Sequence, residues 1–277
     1  MHQIRMIGLD LDGTLLNSRK ELPLYTREIL KKAISRGITV LVATGRPYTG
    51  IPEELRNFPG MRYAVTANGA RVVDTLTGKV LSERLLPMES AKKTLEIFRK
   101  YDTLQEVYFD GQGYADSDKL ADIGRYHHNP YMWGYVLSSR IAVPDIREVM
   151  RRENRPMDKI QALFANLDEQ HRAWEELEKN KDIVLVGSLG YNIEVNAAGV
   201  DKGSGLTELG KLLGIQREEI MAVGDGDNDI AMLKKAGFGV AMANAGDEVK
   251  AAADYVTGTN DEEGAAKAIE IFALRGE

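Results

Sequence analysis

The stretch GLDLDGTLL, Gly8 to Leu16, places two aspartates two residues apart directly after an apolar run. Side chains at positions i and i+2 of an extended segment point the same way, so Asp10 and Asp12 can both face one ligand beyond the end of a strand. Gly13 permits a sharp turn there, and Thr14 can hydrogen-bond within that turn. An acidic surface turn is the simpler interpretation of two spaced aspartates, but the full stretch after an apolar strand favours a functional site.

Three further apolar runs also end in polar residues that are capable of chemistry. They are Ile38–Ala43 before Thr44-Gly45-Arg46, Tyr63–Val65 before Thr66-Ala67-Asn68-Gly69, and Ile220–Val223 before Gly224-Asp225. Helical patterns at Thr26–Ser35 and Lys202–Leu213 lie between or beside them. This alternation predicts an α/β fold with a Rossmann-like open parallel sheet and helices on both faces. Such sheets bind ligands beyond the carboxyl ends of their strands, where these polar residues fall.

The middle of the chain has a different pattern. Arg71–Leu86 predicts a hairpin, and the strands that follow are adjacent in sequence, which indicates an α+β arrangement. We therefore expect an inserted α+β domain at residues 84–193 and a core domain formed by residues 1–83 and 194–277. Further predicted helices and strands are Met88–Tyr101, Gln105–Phe109, Lys159–Phe164, Asp168–Asn180 and Tyr191–Asn196.

Composition excludes several classes of protein. The chain has 277 residues, no cysteine and a formal net charge of −6. The lack of cysteine rules out disulfides, zinc–thiolate sites and cysteine catalysis, and it fits a reducing compartment. The acidic balance argues against a nucleic-acid partner. The first residues lack signal-peptide features and no run reaches the about 20 apolar residues of a membrane span. We expect a cytoplasmic protein without a membrane partner, as a monomer or a homodimer.

A second acidic cluster lies in the stretch GDGDNDIAML, which contains Asp225, Asp227 and Asp229. An EF-hand loop does not fit, because Ile230 stands where that loop needs glycine and Ala236 stands where it needs glutamate. A dinucleotide-binding fingerprint fails because Asp229 takes the place of its third glycine, and no phosphate-binding GxxxxGK[ST] loop is present. An acidic surface loop is the alternative to a functional site.

Carboxylates gathered from both acidic stretches need a cation. A site made only of oxygen ligands favours a hard ion, and Mg²⁺ typically binds one or two carboxylates together with water and substrate phosphate. The neighbouring residues suit a phosphate group. Thr44 offers a hydroxyl, Gly45 a backbone N–H, Lys202 a charge at a helix start and Asn228 an amide. Together they predict a site for metal-assisted phosphoryl transfer.

At these residues the sequence resembles the haloacid dehalogenase (HAD) superfamily of phosphatases. Its four motifs occur in order as DLDGT, the Thr44-Gly45 of ATGR, the lysine of DKG, and GDGDND. The segment between the second and third motifs resembles the C2-type cap of the Cof-like branch, as do NGA and GVAMANA, and GRPYTG resembles its sugar phosphatases. The resemblance implies a HAD fold and a Mg²⁺-dependent phosphatase of small phosphorylated metabolites, with sugar phosphates favoured.

The resemblance also implies a role for each matching residue. Asp10 would be the nucleophile that forms an aspartyl-phosphate, and Asp12 would protonate the leaving alcohol and then activate water. Thr14 would support their loop, whereas Asp227 receives no role. The implied metal ligands are the Asp10 carboxylate, the Asp12 backbone carbonyl, Asp225 and, directly or through water, Asp229. The implied phosphate-binding residues are Thr44, Gly45, Lys202 and Asn228.

Several alternatives stay open from the sequence. A phosphomutase, a phosphatase of pyridoxal phosphate or flavin mononucleotide, and a non-catalytic binding protein are the competing functions. The inserted domain would act as a lid over the site. His127 and His128 either face the active site or pack within that domain, and Arg46 either contacts substrate or is structural.

Overall fold

The structure is a computed structural model that describes residues 3–187 and 189–274. Of the predicted domain ranges, residues 1–2, 188 and 275–277 lie outside the described part. Contacts divide the chain into two compact units. The first unit comprises the chain up to Gly45, Pro52–Glu83 and the chain from Asp201 onward, and the second comprises Arg46–Ile51 and Arg84–Val200.

Strands and helices alternate along most of the described chain. The strands are β1 (Met6–Leu9), β2 (Thr39–Ala43), β3 (Tyr63–Thr66), β4 (Arg71–Asp74), β5 (Lys79–Glu83), β6 (Thr103–Phe109), β7 (Gln112–Asp116), β8 (Arg140–Val143), β9 (Lys159–Phe164), β10 (Ile183–Val186), β11 (Asn192–Ala197), β12 (Ile220–Gly224), β13 (Phe238–Ala241) and β14 (Tyr255–Val256). The α-helices are α1 (Leu24–Ser35), α2 (Glu53–Arg56), α3 (Met88–Phe98), α4 (Ser117–Ala121), α5 (Ile123–Tyr126), α6 (Trp133–Ser139), α7 (Ile146–Glu153), α8 (Leu167–Leu177), α9 (Lys202–Leu213), α10 (Ile230–Lys235), α11 (Asp247–Ala251) and α12 (Gly264–Ile269). Short 3₁₀ helices include Tyr48–Gly50, Ala67–Gly69 and Asp227–Asp229, and a π-helical segment, Glu270–Leu274, follows α12.

The first unit is built on a mixed sheet with the strand order β14-β13-β12-β1-β2-β3-β4-β5. The strands from β14 to β3 are parallel, and β3, β4 and β5 pair antiparallel. Helices flank this sheet, and the predicted α/β fold is confirmed. The hairpin predicted within 71–86 is β4 and β5, which form one edge of the same sheet.

Helices α9 and α10 pack against this sheet. Their residues Leu206, Leu209, Met232 and Leu233 are buried in one apolar cluster with residues of β1, β2 and β12. Burying a side chain of this size contributes about 1.5–3 kcal/mol of stability. The buried strands therefore hold their carboxyl ends at fixed positions, and those ends carry the polar residues described below.

The second unit contains a sheet with the order β10-β11-β9-β6-β7-β8, antiparallel except for the parallel pair β7–β8. Helices α3, α7 and α8 contribute Leu95, Phe98, Val149, Met150 and Leu177 to a cluster with apolar residues of β6, β9 and β11. A second cluster involves α4, α5 and α6. The α+β character expected of the inserted domain is present.

The structure corrects the boundaries that the sequence suggested. The expected boundary between residues 193 and 194 lies inside β11, which pairs with both β9 and β10, so the second unit extends to Val200. Arg46–Ile51 also belongs to the second unit. The sequence analysis placed these residues in the core domain, because GRPYTG continues directly from the Thr44-Gly45 motif. The elements between 112 and 153 were not predicted, because most are short and depend on packing rather than on a clear periodicity. None of the helices in the described ranges combines the length and apolar character that a membrane crossing requires.

Candidate active site

Parallel pairing brings three strand ends to one edge of the first sheet. Leu9 of β1 is in register with Val42 of β2 and Val223 of β12. The backbone N–H of Asp10 donates to the Val223 carbonyl at 3.0 Å, which extends the ladder by one residue. The residues that follow these strands, Asp10 among them, therefore leave the sheet side by side.

Lys202 lies at the start of α9, as predicted, and its ammonium joins two of the aspartates. Its Nζ donates to Asp10 Oδ1 at 2.6 Å and to Asp229 Oδ1 at 2.8 Å. The lysine is only 1% exposed, so this is a buried ion-paired group rather than a surface charge. Asp201 caps the helix by accepting the backbone N–H of Ser204 at 2.8 Å, which fixes where the helix begins.

The site carries more negative charge than Lys202 offsets. Burial raises the pKa of Asp10 well above its usual value; the attraction of Lys202 opposes this rise, and repulsion from Asp229 and Asp225 adds to it. Burial likewise raises the pKa of Asp225 to about 6, against a hydrogen bond from Thr14. Burial alone would lower the pKa of Lys202, but attraction to Asp10 and Asp229 outweighs it and raises that pKa, so the lysine stays charged.

Asp225 is held by the loop that follows β1. Thr14 Oγ1 donates to Asp225 Oδ1 at 2.7 Å, and Asn244 Nδ2 donates to the Gly13 carbonyl at 2.9 Å and to Asp225 Oδ2 at 3.4 Å. Gly13 has φ +92, and a Cβ there would lie 2.2 Å from Asp225 Oδ2. Glycine is required at this position both for its backbone conformation and for the close approach. Asn244 received no role from the sequence, and its only signal was the GVAMANA stretch.

Three carboxylates are close enough to share a cation. Within the described residues, ligand oxygens of Asp10, Asp225 and Asp229 all lie within 4.8 Å of one another. Their all-oxygen donor set, and the raised pKa values of Asp10 and Asp225, fit a hard divalent ion. Asp229 Oδ2 also accepts the backbone N–H groups of Asp225 and Gly226, each at 3.0 Å, so this carboxylate orders the loop as well.

Asp12 has different surroundings from Asp10. Its carboxylate Oδ1 lies 2.9 Å from Lys20 Nζ, and its side chain is 29% exposed compared with 9% for Asp10. The two aspartates of the first motif thus each have a lysine partner, one buried and one half-buried. Sequence reasoning missed Lys20, which lies in a turn eight residues after Asp12 with no recognisable motif of its own.

The predicted phosphate-binding residues lie at the same edge. Thr44 follows β2 and is buried, and its backbone carbonyl accepts the backbone N–H of Asn68 at 3.1 Å. Gly45 beside it is half-buried. Asn228 Nδ2 donates to Asn68 Oδ1 at 3.2 Å. Asn68 has a left-handed backbone with φ 59 and is 1% exposed, and it links the second and fourth motifs. Sequence reasoning assigned Asn68 no role beyond the NGA resemblance.

The other candidate residues have structural contacts. Arg46 lies 4.0 Å from the centre of the Tyr135 ring and donates to the Gly50 carbonyl at 2.9 Å. His127 is 2% exposed, with Nδ1 2.9 Å from the Tyr191 hydroxyl, and its contacts fit the packing interpretation. The His128 ring lies 4.4 Å from the Tyr191 ring, so it packs in the same place.

Comparisons with known proteins cover nearly the whole chain. The profile of the haloacid dehalogenase-like hydrolases matches residues 7–269. A 5-amino-6-(5-phospho-D-ribitylamino)uracil phosphatase of Bacillus subtilis is 32% identical over 273 residues, which cover 98% of this chain and 96% of the relative. The pyridoxal phosphate phosphatase of Escherichia coli is 29% identical over 273 residues, which cover 92% and 94%. The structure of a HAD subclass IIB sugar phosphatase matches with a TM-score of 0.80 and 26% identity, covering 98% of this chain and 99% of that chain.

Proposed function

The chain belongs to the haloacid dehalogenase-like hydrolases and is a phosphatase of that family, and we propose that it hydrolyses small phosphorylated metabolites with Mg²⁺, sugar phosphates being the favoured class. One observation carries the proposal. The buried Asp10 carboxylate stands at the strand edge, 2.6 Å from the ammonium of Lys202 and beside Asp225 and Asp229. That arrangement suits a nucleophile that attacks an anionic phosphate.

The reaction has two steps. In the first, an Asp10 carboxylate oxygen bonds to phosphorus while the ester P–O bond breaks, and the Asp12 carboxyl gives its proton to the leaving alcohol. In the second, Asp12 takes a proton from a water molecule whose oxygen attacks the aspartyl-phosphate. The bond from phosphorus to Asp10 breaks, inorganic phosphate leaves, and Asp12 is again protonated.

The phosphate would be held by groups with fixed positions. Lys202 remains cationic between two carboxylates and would neutralise charge on the phosphoryl oxygens. The Thr44 hydroxyl, the Gly45 backbone N–H and the Asn228 amide would donate the remaining hydrogen bonds. The Asn68 bridge between the second and fourth motifs supports this grouping, because it ties Thr44 and Asn228 together.

The acidic cluster supports a metal requirement. The Asp10 carboxylate, the Asp12 backbone carbonyl and Asp225 would hold the ion, with Asp229 as a further ligand, directly or through water. Mg²⁺, when bound, would offset repulsion among the carboxylates and stabilise charge on the transferring phosphoryl group. Asp229 would also keep Lys202 and the 225–226 backbone in place, as its hydrogen bonds suggest.

Phosphate release across a panel tests the substrate class. The panel contains sugar phosphates, pyridoxal phosphate, flavin mononucleotide and a phosphorylated ribityl compound, each assayed with Mg²⁺ and with a chelator. We expect the fastest release from a sugar phosphate, and no release after chelation. Faster release from another member would replace the favoured class, and activity that depends on a bisphosphate would indicate a phosphomutase. No release from any compound would favour a binding protein. The cytoplasmic location and the monomeric or homodimeric state stay predictions.

A further inference from the structure

Lys20 is the charged partner of Asp12, although no sequence motif marks it. The Lys20 Nζ lies 2.9 Å from Asp12 Oδ1, and the two side chains are 24% and 29% exposed. A fully exposed ion pair usually contributes little to stability. This pair is half-buried and involves the residue that the proposed reaction uses for proton transfer, so its geometry bears on that step.

The backbone of Lys20 is in an unfavourable conformation. Its φ is +65, in the left-handed region that residues other than glycine and asparagine rarely adopt. Such a conformation costs free energy and persists only when the surrounding structure enforces it, which happens preferentially at functional sites. Glycine would adopt it without strain, yet the chain has lysine at this position.

The turn from Asn17 to Glu21 enforces that conformation. The Asn17 side-chain oxygen accepts the backbone N–H groups of Arg19 and Glu21, each at 3.0 Å. The backbone N–H of Lys20 donates to the Asn17 carbonyl at 2.9 Å, and that of Asn17 donates to the Glu21 carbonyl at 3.0 Å. The turn is closed by these four bonds, and the direction of the Lys20 side chain is set by them.

A distant segment anchors the same turn. Ser18 donates to the Asp261 carboxylate through its backbone N–H at 2.8 Å and its hydroxyl at 2.6 Å, and Asn260 Nδ2 donates to the Leu16 carbonyl at 3.0 Å. The backbone N–H of Asn260 also donates to Asn244 Oδ1 at 3.0 Å. Because Asn244 contacts the Asp225 loop, one hydrogen-bonded frame holds both the turn and the acidic cluster.

We propose that Lys20 is a positioning residue that orients the Asp12 carboxyl group for proton transfer to and from the leaving-group oxygen and water. By holding Oδ1, the Lys20 ammonium limits rotation of the Asp12 carboxyl group. This inference rests on the proposed function. It adds a residue, Lys20, that acts through Asp12.

The test compares two leaving groups. The departure of p-nitrophenolate needs no proton, whereas the departure of a sugar alkoxide does. Lys20→Gln should lower kcat for a sugar phosphate by about 10-fold to 100-fold with KM changed by less than about twofold, because a positioned acid contributes roughly 10²–10⁴ in rate. The first-turnover release of p-nitrophenol from p-nitrophenyl phosphate should be unchanged.

Three matched variants separate positioning from folding. Lys20→Gly removes the amine and relieves the left-handed backbone, so it should be at least as thermally stable as the original protein and as slow as Lys20→Gln. Lys20→Arg should restore most of the rate. Arg19→Gln removes a neighbouring charge that pairs with Glu21 instead, and it should leave both substrates unaffected.

Each outcome decides the inference. An equal loss with both leaving groups, a changed KM with unchanged kcat, or a fully active Lys20→Gly would overturn the positioning role. A Lys20→Gly protein that is slow only with the sugar phosphate would support it. Failure of the proposed function is recognised separately, because the original protein would then release no p-nitrophenol or Asp10→Asn would remain active.

Discussion

Asp10 and Asp12 are two residues apart, yet their carboxyl groups have different partners. Asp10 is buried against Lys202, whereas Asp12 is half-buried against Lys20. The proposed reaction gives them different roles, because Asp10 must be ionised to attack and Asp12 must carry a proton. A bound cation would favour the ionised form of Asp10. The turn after β1 separates the surroundings of the two side chains within three residues, and Gly13 allows the turn.

Asparagine substitutions test the division of labour between the two aspartates. Asp10→Asn should reduce turnover by at least about 10³-fold, because an amide cannot form the aspartyl-phosphate. The fold should persist, since asparagine keeps the shape and removes repulsion from Asp225 and Asp229. Asp12→Asn should be badly impaired with a poor leaving group, because both steps lose the group that transfers the proton. Steady-state phosphate release and thermal melting measure both effects, and retained turnover in Asp10→Asn would refute the nucleophile assignment.

At the scale of elements, the start of α9 places the site lysine. Asp201 accepts the Ser204 N–H at 2.8 Å and the Lys235 Nζ at 2.6 Å, so the helix begins at a fixed residue. A lysine in the first turn opposes the helix dipole, and Asp10 and Asp229 compensate for it. The capped helix end and the β1 strand end therefore depend on each other.

Loss of that cap should weaken both stability and phosphate binding. Asp201→Ala removes the acceptor for the Ser204 N–H and should lower the free energy of unfolding by about 1–2 kcal/mol, with a higher KM because Lys202 is less well placed. Asp201→Asn keeps a capping oxygen and serves as the control, with a loss of less than about 1 kcal/mol. Urea unfolding and phosphate-release kinetics provide the measurements. An unchanged unfolding midpoint in Asp201→Ala would show that the cap does not fix the helix start.

For the molecule as a whole, gathering these carboxylates lowers the free energy of unfolding, and a bound cation would raise it again. Asp10, Asp225 and Asp229 lie close together, Lys202 pairs with Asp10 and Asp229, and burial raises the pKa of Asp10 and Asp225. Stability lost through such charge repulsion is a common property of functional sites, because the substrate or metal supplies the missing partner. The apolar clusters of both units supply the stability that makes this tolerable.

This cost predicts a specific dependence on pH. The pKa of Asp225 rises from its usual value near 3.8 to about 6, so the folded state binds more protons than the unfolded state between these values. Metal-free stability should therefore be highest at the acidic side and fall as pH rises through about 6, by up to about 3 kcal/mol from this group. Mg²⁺ binds the ionised carboxylates and should stabilise the protein more at about pH 8 than at about pH 5.

Thermal melting with Mg²⁺ and with a chelator at both pH values measures this effect. Asp225→Asn is the control, because it keeps the side-chain shape but cannot titrate, and most of the pH-dependent difference should disappear in it. An equal gain from Mg²⁺ at both pH values in the original protein would contradict the assignment of Asp225 as a ligand.

The α/β core and the sheet edge that carries the site residues could be predicted from the sequence alone. Buried apolar runs such as Ile220–Val223 are typical of parallel strands, and parallel strands place their carboxyl ends at one edge of a sheet. The sequence therefore predicted that Asp10 and Asp225 lie at the same edge. The start of α9 at Lys202 was predicted for a similar reason, since local helix signals suffice. These features depend on residues that are close in sequence or on a general rule of topology.

The side chains that support that edge could be identified only from the folded chain. Asn68, Asn244 and Lys20 contact the site residues through folds of the chain that no local pattern encodes, and Lys20 depends on a strained turn fixed by Asp261 more than two hundred residues away. The short helices and strands between 112 and 153 were missed for the same reason. Where an interaction joins residues that are distant in sequence, its geometry depends on the packing of the whole unit, and local propensity does not predict it.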